Sequence, residues 1–267
     1  MKKQIAFVIT NTDHGTMIVN RNDFHESPSG TYGVGCQLLS NSSYDLEEVG
    51  LGINLLDRIK KNNPGNVIAL DCGANIGVLT IEWAKFMTGW GEVYSFEAQE
   101  KIFYALAGNI AINNLFNVHA YNEALGANDG FLEIPTPNYQ EPGSFGSFEL
   151  KKKPSNEFIG QEINYEKLVK VKLTSIDSLE FDRIDLIKID VEGMEDELLL
   201  GAENSIKKHK PVLIIEIIKS DKDGINRFLA KIGYKIFPIG MNILAVQEQS
   251  PILKKIQITN NELAILP

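Results

Sequence analysis

Four acids in this chain stand where short apolar runs end. They are Asp71 in Val67-Ile68-Ala69-Leu70-Asp71-Cys72, Glu97 after Val93-Tyr94-Ser95-Phe96, Asp190 after Leu186-Ile187-Lys188-Ile189, and Glu216 within Pro211 to Ile218. Runs of this kind read as strands buried on both faces, and parallel strands bring their carboxyl ends to one edge of a sheet. Gly73 and Gly77 break the first run, and an apolar-periodic helix follows through Trp83, Ala84 and Met87. Strand, tight turn and helix in that order place a small-ligand site at the end of the strand. A dinucleotide would want glycines spaced G-x-G-x-x-G, and Asp71 would repel its phosphates. The carboxylate suits a ligand with a cationic end. Glu97, about twenty residues beyond Gly77, is placed to accept hydrogen bonds from both hydroxyls of an unphosphorylated ribose.

Each residue also has a plainer role. The glycines would serve any strand-to-helix turn, Asp71 could cap a helix, and Glu97 could simply favour a helix dipole. Their combination in one βαβ unit favours a ligand site, and the ammonium of S-adenosylmethionine is a cationic end that fits it. The step Asn122-Glu123-Ala124 leaves the third strand beside the adenine end of such a ligand, where a side chain or a backbone N–H could read the purine edge. A plain strand-to-turn junction would have the same sequence. Asp190, Glu192 and Glu216 are general-base candidates facing the crevice, with His14 or His25 added if the front hairpin folds over. Asp190 and Glu216 end adjacent strands and could instead share a divalent metal. The base is the preferred role, and no metal is expected; His119 and His209 read as structural or surface residues.

The elements that must position these groups follow from periodicity. Residues 4–10 and 16–20 form a hairpin around Asp13-His14-Gly15, a polar loop runs from Asn22 to about Gly35, and Asp45 to Lys60 has helical spacing ended by Asn63-Pro64-Gly65. This front section, 1–65, lacks a core of its own and is expected as an appendage near the mouth of the site. From 66 to 247 strands and helices alternate: a helix over 99–114, strands at 118–122 and 184–190, a helix over 194–202, a strand at 211–218 and a helix over 221–232. The rhythm fails from 131 to 172, where strands at 131–134 and 169–173 flank a mobile, aromatic-bearing loop at Pro142 to Phe148. Such an insertion is expected to cover an acceptor substrate, the alternative being a merely structural hairpin. Tyr234 to Pro238 and Asn242 to Val246 are separated only by Ile239-Gly240-Met241, so they must pair antiparallel. The tail, 248–267, fits strand or coil equally.

Composition narrows the partners. The net charge of -9 opposes a broad contact with nucleic acid, leaving Lys151-Lys152-Lys153 as a local basic run that reads as a solvated loop. Cys36 and Cys72 are too few for a disulfide framework or a zinc site, which with the absence of a cleavable leader after Met1-Lys2-Lys3 suggests a cytoplasmic protein. The longest apolar run contains Glu216 and could not span a bilayer, so no membrane partner is expected.

Taken together, Asp71-Cys72-Gly73-Ala74-Asn75-Ile76-Gly77, Phe96-Glu97-Ala98, Asn109-Ile110-Ala111-Ile112-Asn113, Lys188-Ile189-Asp190-Val191-Glu192-Gly193-Met194-Glu195 and Leu200-Gly201-Ala202 resemble the FkbM family of S-adenosylmethionine-dependent methyltransferases. The K-I-D-V-E-G-x-E stretch is the specific part. The resemblance implies an α/β fold of the Rossmann-like class I methyltransferase type, a mostly parallel seven-stranded sheet with an antiparallel terminal hairpin. It implies that Asp71, Gly73, Ala74, Asn75 and Gly77 line the methionine and ribose side of the cofactor. Glu97 would hold the ribose hydroxyls, with Ala98 beside it in the cofactor site; Asn122, Glu123 and Ala124 would flank adenine, and Asp190 would lie near the amino-acid end and the transferred methyl. Cys72 and Ala98 depart from the residues usual at those positions without removing a needed group. Family members are typically O-methyltransferases acting on sugar or secondary-metabolite hydroxyls, so a small-molecule or glycan acceptor is expected. An RNA or protein methyltransferase is a second reading, weakened by the acidic balance and by the lack of an Asn/Asp-Pro-Pro-aromatic motif after the fourth strand. A third is a cofactor-binding subunit without turnover.

Overall fold

The computed structural model describes residues 5–28, 30–259 and 262–266. In chain order these form β1 (Phe7–Thr12), β2 (Gly15–Asn20), β3 (His25–Ser27), β4 (Gly30–Tyr32), α1 (Val34–Asn41), α2 (Leu46–Asn62), β5 (Val67–Cys72), α3 (Val78–Phe86), β6 (Gly91–Phe96) and α4 (Glu100–Ile112). There follow β7 (Val118–Tyr121), β8 (Glu123–Leu125), β9 (Gly130–Pro135), β10 (Leu168–Thr174), β11 (Leu186–Ile189), α5 (Glu195–Gly201), α6 (Glu203–His209) and β12 (Val212–Glu216). The chain closes with α7 (Lys222–Lys231), β13 (Tyr234–Ile239), β14 (Asn242–Gln247), β15 (Ile256–Thr259) and β16 (Glu262–Ile265).

A seven-stranded sheet in the order β13-β14-β12-β11-β5-β6-β7 organises the molecule. Strands β12, β11, β5, β6 and β7 run parallel, and β14 and β13 complete the sheet antiparallel. This is the Rossmann-like class I methyltransferase arrangement, and the order reverses between β5 and β11, where a crevice opens beyond the strand ends. Side chains alternate between faces along each strand. Val67, Ala69, Leu186, Val212, Ile214, Leu244 and Val246 pack on one face with residues of α2, α3 and α4, while Ile68, Leu70, Ile187, Ile189, Leu213 and Ile215 pack on the other with α5, α6 and α7.

The front section is bound into this core. Asp45 caps α2 by accepting from the Glu48 backbone N–H at 2.9 Å, and Val49, Leu55, Leu56 and Ile59 of that helix join the same buried cluster as the sheet. The hairpin pairs Thr12 with Gly15, so its strands reach closer to the turn than the sequence suggests; Gln4, the first residue of the expected strand, lies outside the described residues. Two further departures come from short elements. The loop expected from Asn22 to Gly35 holds the small hairpin β3–β4 and the start of α1, and the helix expected over 194–202 is followed directly by α6. In the tail, β15 pairs with β16, and residues 260, 261 and 267 lie outside the described part.

Between β7 and β11 the chain builds a separate three-stranded sheet, β8-β10-β9. The segment expected to be a mobile loop, Pro142 to Phe148, is packed: Phe145 and Phe148 are buried, and the Asp23 carboxylate accepts from the backbone N–H of Phe145 at 2.9 Å and of Gly35 at 3.0 Å. Burial of the two aromatic rings holds the segment down, and the Asp23–Phe145 bond joins residues more than a hundred positions apart along the chain.

Asn109 joins three parts of the structure. Fully buried on α4, it accepts from the Ile18 N–H at 2.5 Å and donates to the carbonyls of Ile18 (3.2 Å) and Ile76 (2.8 Å). Replacing it by alanine strands one N–H and two carbonyls without water, so Asn109→Ala should lower stability by about 1–3 kcal/mol, measured by urea denaturation.

Candidate functional site

The strand alternation that buries Ala69, Leu186, Ile214 and Leu244 on the α2 face puts Asp71, Lys188, Glu216 and Asn242 on that same face, one layer nearer the carboxyl edge. Cross-strand register aligns them: Asp71 lies opposite Lys188, and Glu216 lies opposite Asn242. Beyond the strand ends is a cavity of about 490 Å³. Asp71, Gly73, Ala74, Asn75, Gly77, Glu97, Ala98, Glu123, Ala124, Asp190 and Glu216 all line it, so the structure brings together every residue expected to hold the cofactor or to act from a strand end but one. Asn122 is the exception. Its side chain donates to the carbonyls of Glu97 (2.9 Å) and Ala98 (3.1 Å), bracing the loop from behind.

Two turns face each other across the crevice. At Gly73, φ is +84° and a Cβ would lie 1.7 Å from the Asp190 carbonyl oxygen, so only glycine lets the β5 and β11 turns touch. The N–H groups of Gly73 and Ala74 donate to the Phe96 carbonyl at 3.0 and 2.9 Å. Asn75 adopts a left-handed conformation, and its N–H donates to Glu97 at 3.0 Å; the other Glu97 oxygen accepts from the Gln99 N–H at 2.8 Å. The second turn, Val191-Glu192-Gly193, is held by buried Glu195, which accepts from the N–H groups of Val191 (3.0 Å) and Gly193 (3.1 Å). The last acid of K-I-D-V-E-G-x-E thus positions the turn that presents Asp190 and Glu192.

Carboxylates outnumber cations here. Lys188, buried in the middle of an apolar strand, donates to Asp190 at 2.7 Å; against the pull of burial, Asp190, Glu48 and Asp71 hold its ammonium well above the usual lysine range. Lys219 pairs with Glu192 at 2.7 Å and with Glu157 at 3.0 Å, and donates to the Ser147 carbonyl, so it ties the packed 142–157 segment to the β11 turn. Three carboxylate oxygens remain buried without a hydrogen-bond partner: Asp71 Oδ1, Asp190 Oδ1 and Glu216 Oε2. Burial raises the Asp71 carboxyl, whose other oxygen accepts from the Thr80 hydroxyl at 2.6 Å. Burial also lifts Glu97 to about 7, and burial with the neighbouring Asp190 charge lifts Glu216 to about 8. Unpartnered buried carboxylates attract a cation or a hydrogen-bond donor. One oxygen from each of Asp190, Glu192 and Glu216 lies within 4.8 Å of the others, spacing that could hold a divalent ion, although Lys188 and Lys219 already neutralise two of the three.

The histidines take no part. His14 is buried with its Nε2 accepting from the Tyr44 N–H at 3.0 Å and its other nitrogen 3.4 Å from Glu82, and His25 packs edge-on against Tyr32 and Phe158. The crevice instead receives Glu48, Tyr44 and Tyr32 from the front section, residues that the sequence did not mark. Glu48 has the pattern of an ordinary first-turn helix acid, and only Lys188, a lysine inside an apolar run, signalled that buried charges must be nearby.

The fold and this crevice can be set beside known proteins. A family model described as the methyltransferase FkbM domain matches residues 71–236. Methyltransferase 1 of Beauveria bassiana (strain ARSEF 2860) is 24% identical over 171 residues, which is 60% of this chain and 68% of that protein. A crystal structure of methyltransferase FkbM from Methylobacillus flagellatus KT is similar with a TM-score of 0.49 and 18% identity over 68% of this chain; the chain spans 43% of that protein's length. A SAM-dependent methyltransferase from Aquifex aeolicus is similar with a TM-score of 0.38 and 15% identity, over 76% of this chain and 97% of its own. With the matched region covering more than half of its residues, the chain belongs to the FkbM family of S-adenosylmethionine-dependent methyltransferases.

Proposed function

We propose that this protein is an O-methyltransferase that uses S-adenosylmethionine to methylate a hydroxyl of a sugar, glycan or secondary metabolite. The observation that carries the cofactor assignment is the fully buried, unpartnered Asp71 Oδ1 beside the glycine contact of the two turns, a place for a cation and a poor one for phosphate. Glu97 would hold the ribose hydroxyls, since it lines the cavity and each of its oxygens accepts one backbone N–H and has capacity for a further bond. Glu123 and Ala124 would flank the adenine, with Ala98 lining the cofactor site beside Glu97 and Asn122 fixing the backbone from outside the cavity. Gly73, Ala74, Asn75 and Gly77 would cradle the amino-acid and ribose side.

When bound, the cofactor supplies a methyl group on a sulfonium. The chain's task is to align an acceptor oxygen with it and exclude water. Asp190, fixed by Lys188, would stand near the cationic end, and the free oxygen of Glu216 would orient the acceptor hydroxyl. A chamber rich in carboxylates favours neutral or cationic acceptors with hydroxyl donors over phosphate-bearing ones, which supports the small-molecule or glycan reading against nucleic acid. Among the described residues no helix is long and apolar enough to cross a membrane.

Incubation with methyl-labelled S-adenosylmethionine and separate glycan, small-molecule, RNA and protein pools tests the assignment; label on glycans or small molecules supports it, and label on RNA or protein alone refutes it. Glu97→Ala should weaken cofactor binding by about 1–3 kcal/mol in calorimetry, through loss of the ribose bonds and of the Asn75 and Gln99 anchors. In the cofactor-free protein the buried acids dominate the pH dependence of stability over the opposing His209. Glu97 and Glu216 titrate higher folded than unfolded, so the native state binds more protons between about pH 4.5 and 8 and stability falls as pH rises through that window. Thermal denaturation from pH 5 to 8 should show this decline, and Glu216→Gln should flatten it.

A further inference from the structure

We propose that Glu48, on a helix that precedes the matched family region, is the catalytic residue that takes the proton from the acceptor hydroxyl; this rests on the O-methyl transfer reading above. Glu48 lines the same cavity as Asp71, Asp190 and Glu216, and it arrives from α2, the helix lying over that face of the sheet. Its Oε1 accepts from the Asn242 side chain at 3.3 Å, and Asn242 sits opposite Glu216 in the β12–β14 register, which places the Glu48 carboxyl above the tips of β12 and β14.

The three acids at the ends of β11 and β12 suit the role less well. Asp190 is ion-paired with Lys188, and Glu192 with Lys219, each at 2.7 Å. Glu216, lifted to about 8, is mostly protonated at neutral pH and serves better as a hydrogen-bond partner. Glu48 has no ion pair within 4 Å among the described residues, and its single side-chain bond is a long one. Facing it are Asp45 and Tyr44 at the start of its own helix, Lys188 and Asp190 from the β11 end, Asp71 from β5, and Glu216 and Asn242 from β12 and β14. Burial, partly offset by Lys188 and reinforced by Asp190, brings Glu48 to about 7, so that near neutral pH a substantial fraction is ionised while the group stays basic enough to accept a hydroxyl proton.

The step balances. Glu48 takes the hydroxyl proton as the acceptor oxygen bonds the methyl carbon, while the electron pair of the breaking carbon–sulfur bond returns to sulfur. The products are a methyl ether, a neutral thioether and a protonated Glu48 that returns its proton to water.

Two measurements test this. In cofactor-free protein labelled with 13C at glutamate carboxyls, one resonance absent from Glu48→Gln should titrate near pH 7; titration of that resonance in the ordinary glutamate range overturns the proposal. In methyl transfer from labelled S-adenosylmethionine to pooled monosaccharides and glycans, Glu48→Gln should lower kcat by about 100-fold or more with cofactor affinity held within about twofold, and Glu48→Asp should recover part of the rate. The acid limb of the pH profile should disappear in Glu48→Gln. A Glu48→Gln enzyme with wild-type kcat and the same acid limb overturns the role of Glu48 alone. A wild-type enzyme that labels no hydroxyl acceptor overturns both this role and the O-methyl reading.

Discussion

Lys188 is the residue on which the electrostatics of this crevice depend. A lysine in the middle of a buried strand must find negative partners, and it finds them on three different elements: Asp190 beyond its own strand, Asp71 on β5 and Glu48 on α2. One ammonium cannot balance three carboxylates together with Glu216. The imbalance shows at the carboxyl edge of the sheet as buried oxygens without donors and as carboxyls that keep their protons to higher pH. Such a site is unsatisfied alone and becomes satisfied by a ligand that carries positive charge and hydrogen-bond donors.

The same edge is kept narrow by backbone contact. Because the Gly73 backbone touches the Asp190 carbonyl, the turns after β5 and β11 behave as one unit, and Glu195 locks the second turn from below. The family motif is therefore largely a description of two turns and the strand between their anchors. Its residues fix the geometry of the two turns, and they say little about what else the cavity admits.

The other walls come from outside that motif. Helix α2 lays Glu48 over the strand tips, Tyr32 and Tyr44 arrive from the front section, and the 142–157 segment is tied down by Asp23, Gln99 and Lys219. The front section and the irregular segment between β9 and β10 lie far apart in sequence, yet they meet over one cavity. Both lie outside the K-I-D-V-E-G-x-E motif, so the shape of this chamber is set by segments that the motif does not describe.

Much of this was legible in the residues. The apolar runs at 67–72, 186–189 and 212–216 announced buried parallel strands, and the short Ile239-Gly240-Met241 link required the antiparallel end, because no crossover fits in three residues. The acids closing those runs marked the site edge, since period-two alternation leaves few places for a carboxylate at the end of a buried strand. What the sequence could not supply was distance. Asn122 had the right position in the chain but turned its amide to brace Glu97 and Ala98, and the Pro142 to Phe148 loop became fixed because Phe145 and Phe148 are buried in the hydrophobic core. Glu48 carried no local mark, as a first-turn acid looks the same on a solvated helix as on one lying over a charged crevice. Local pattern determines which elements form and which face each residue takes; only the packing of α2 and the 142–157 segment onto the sheet decided which side chains share a cavity, because that depends on contacts between residues far apart in the chain.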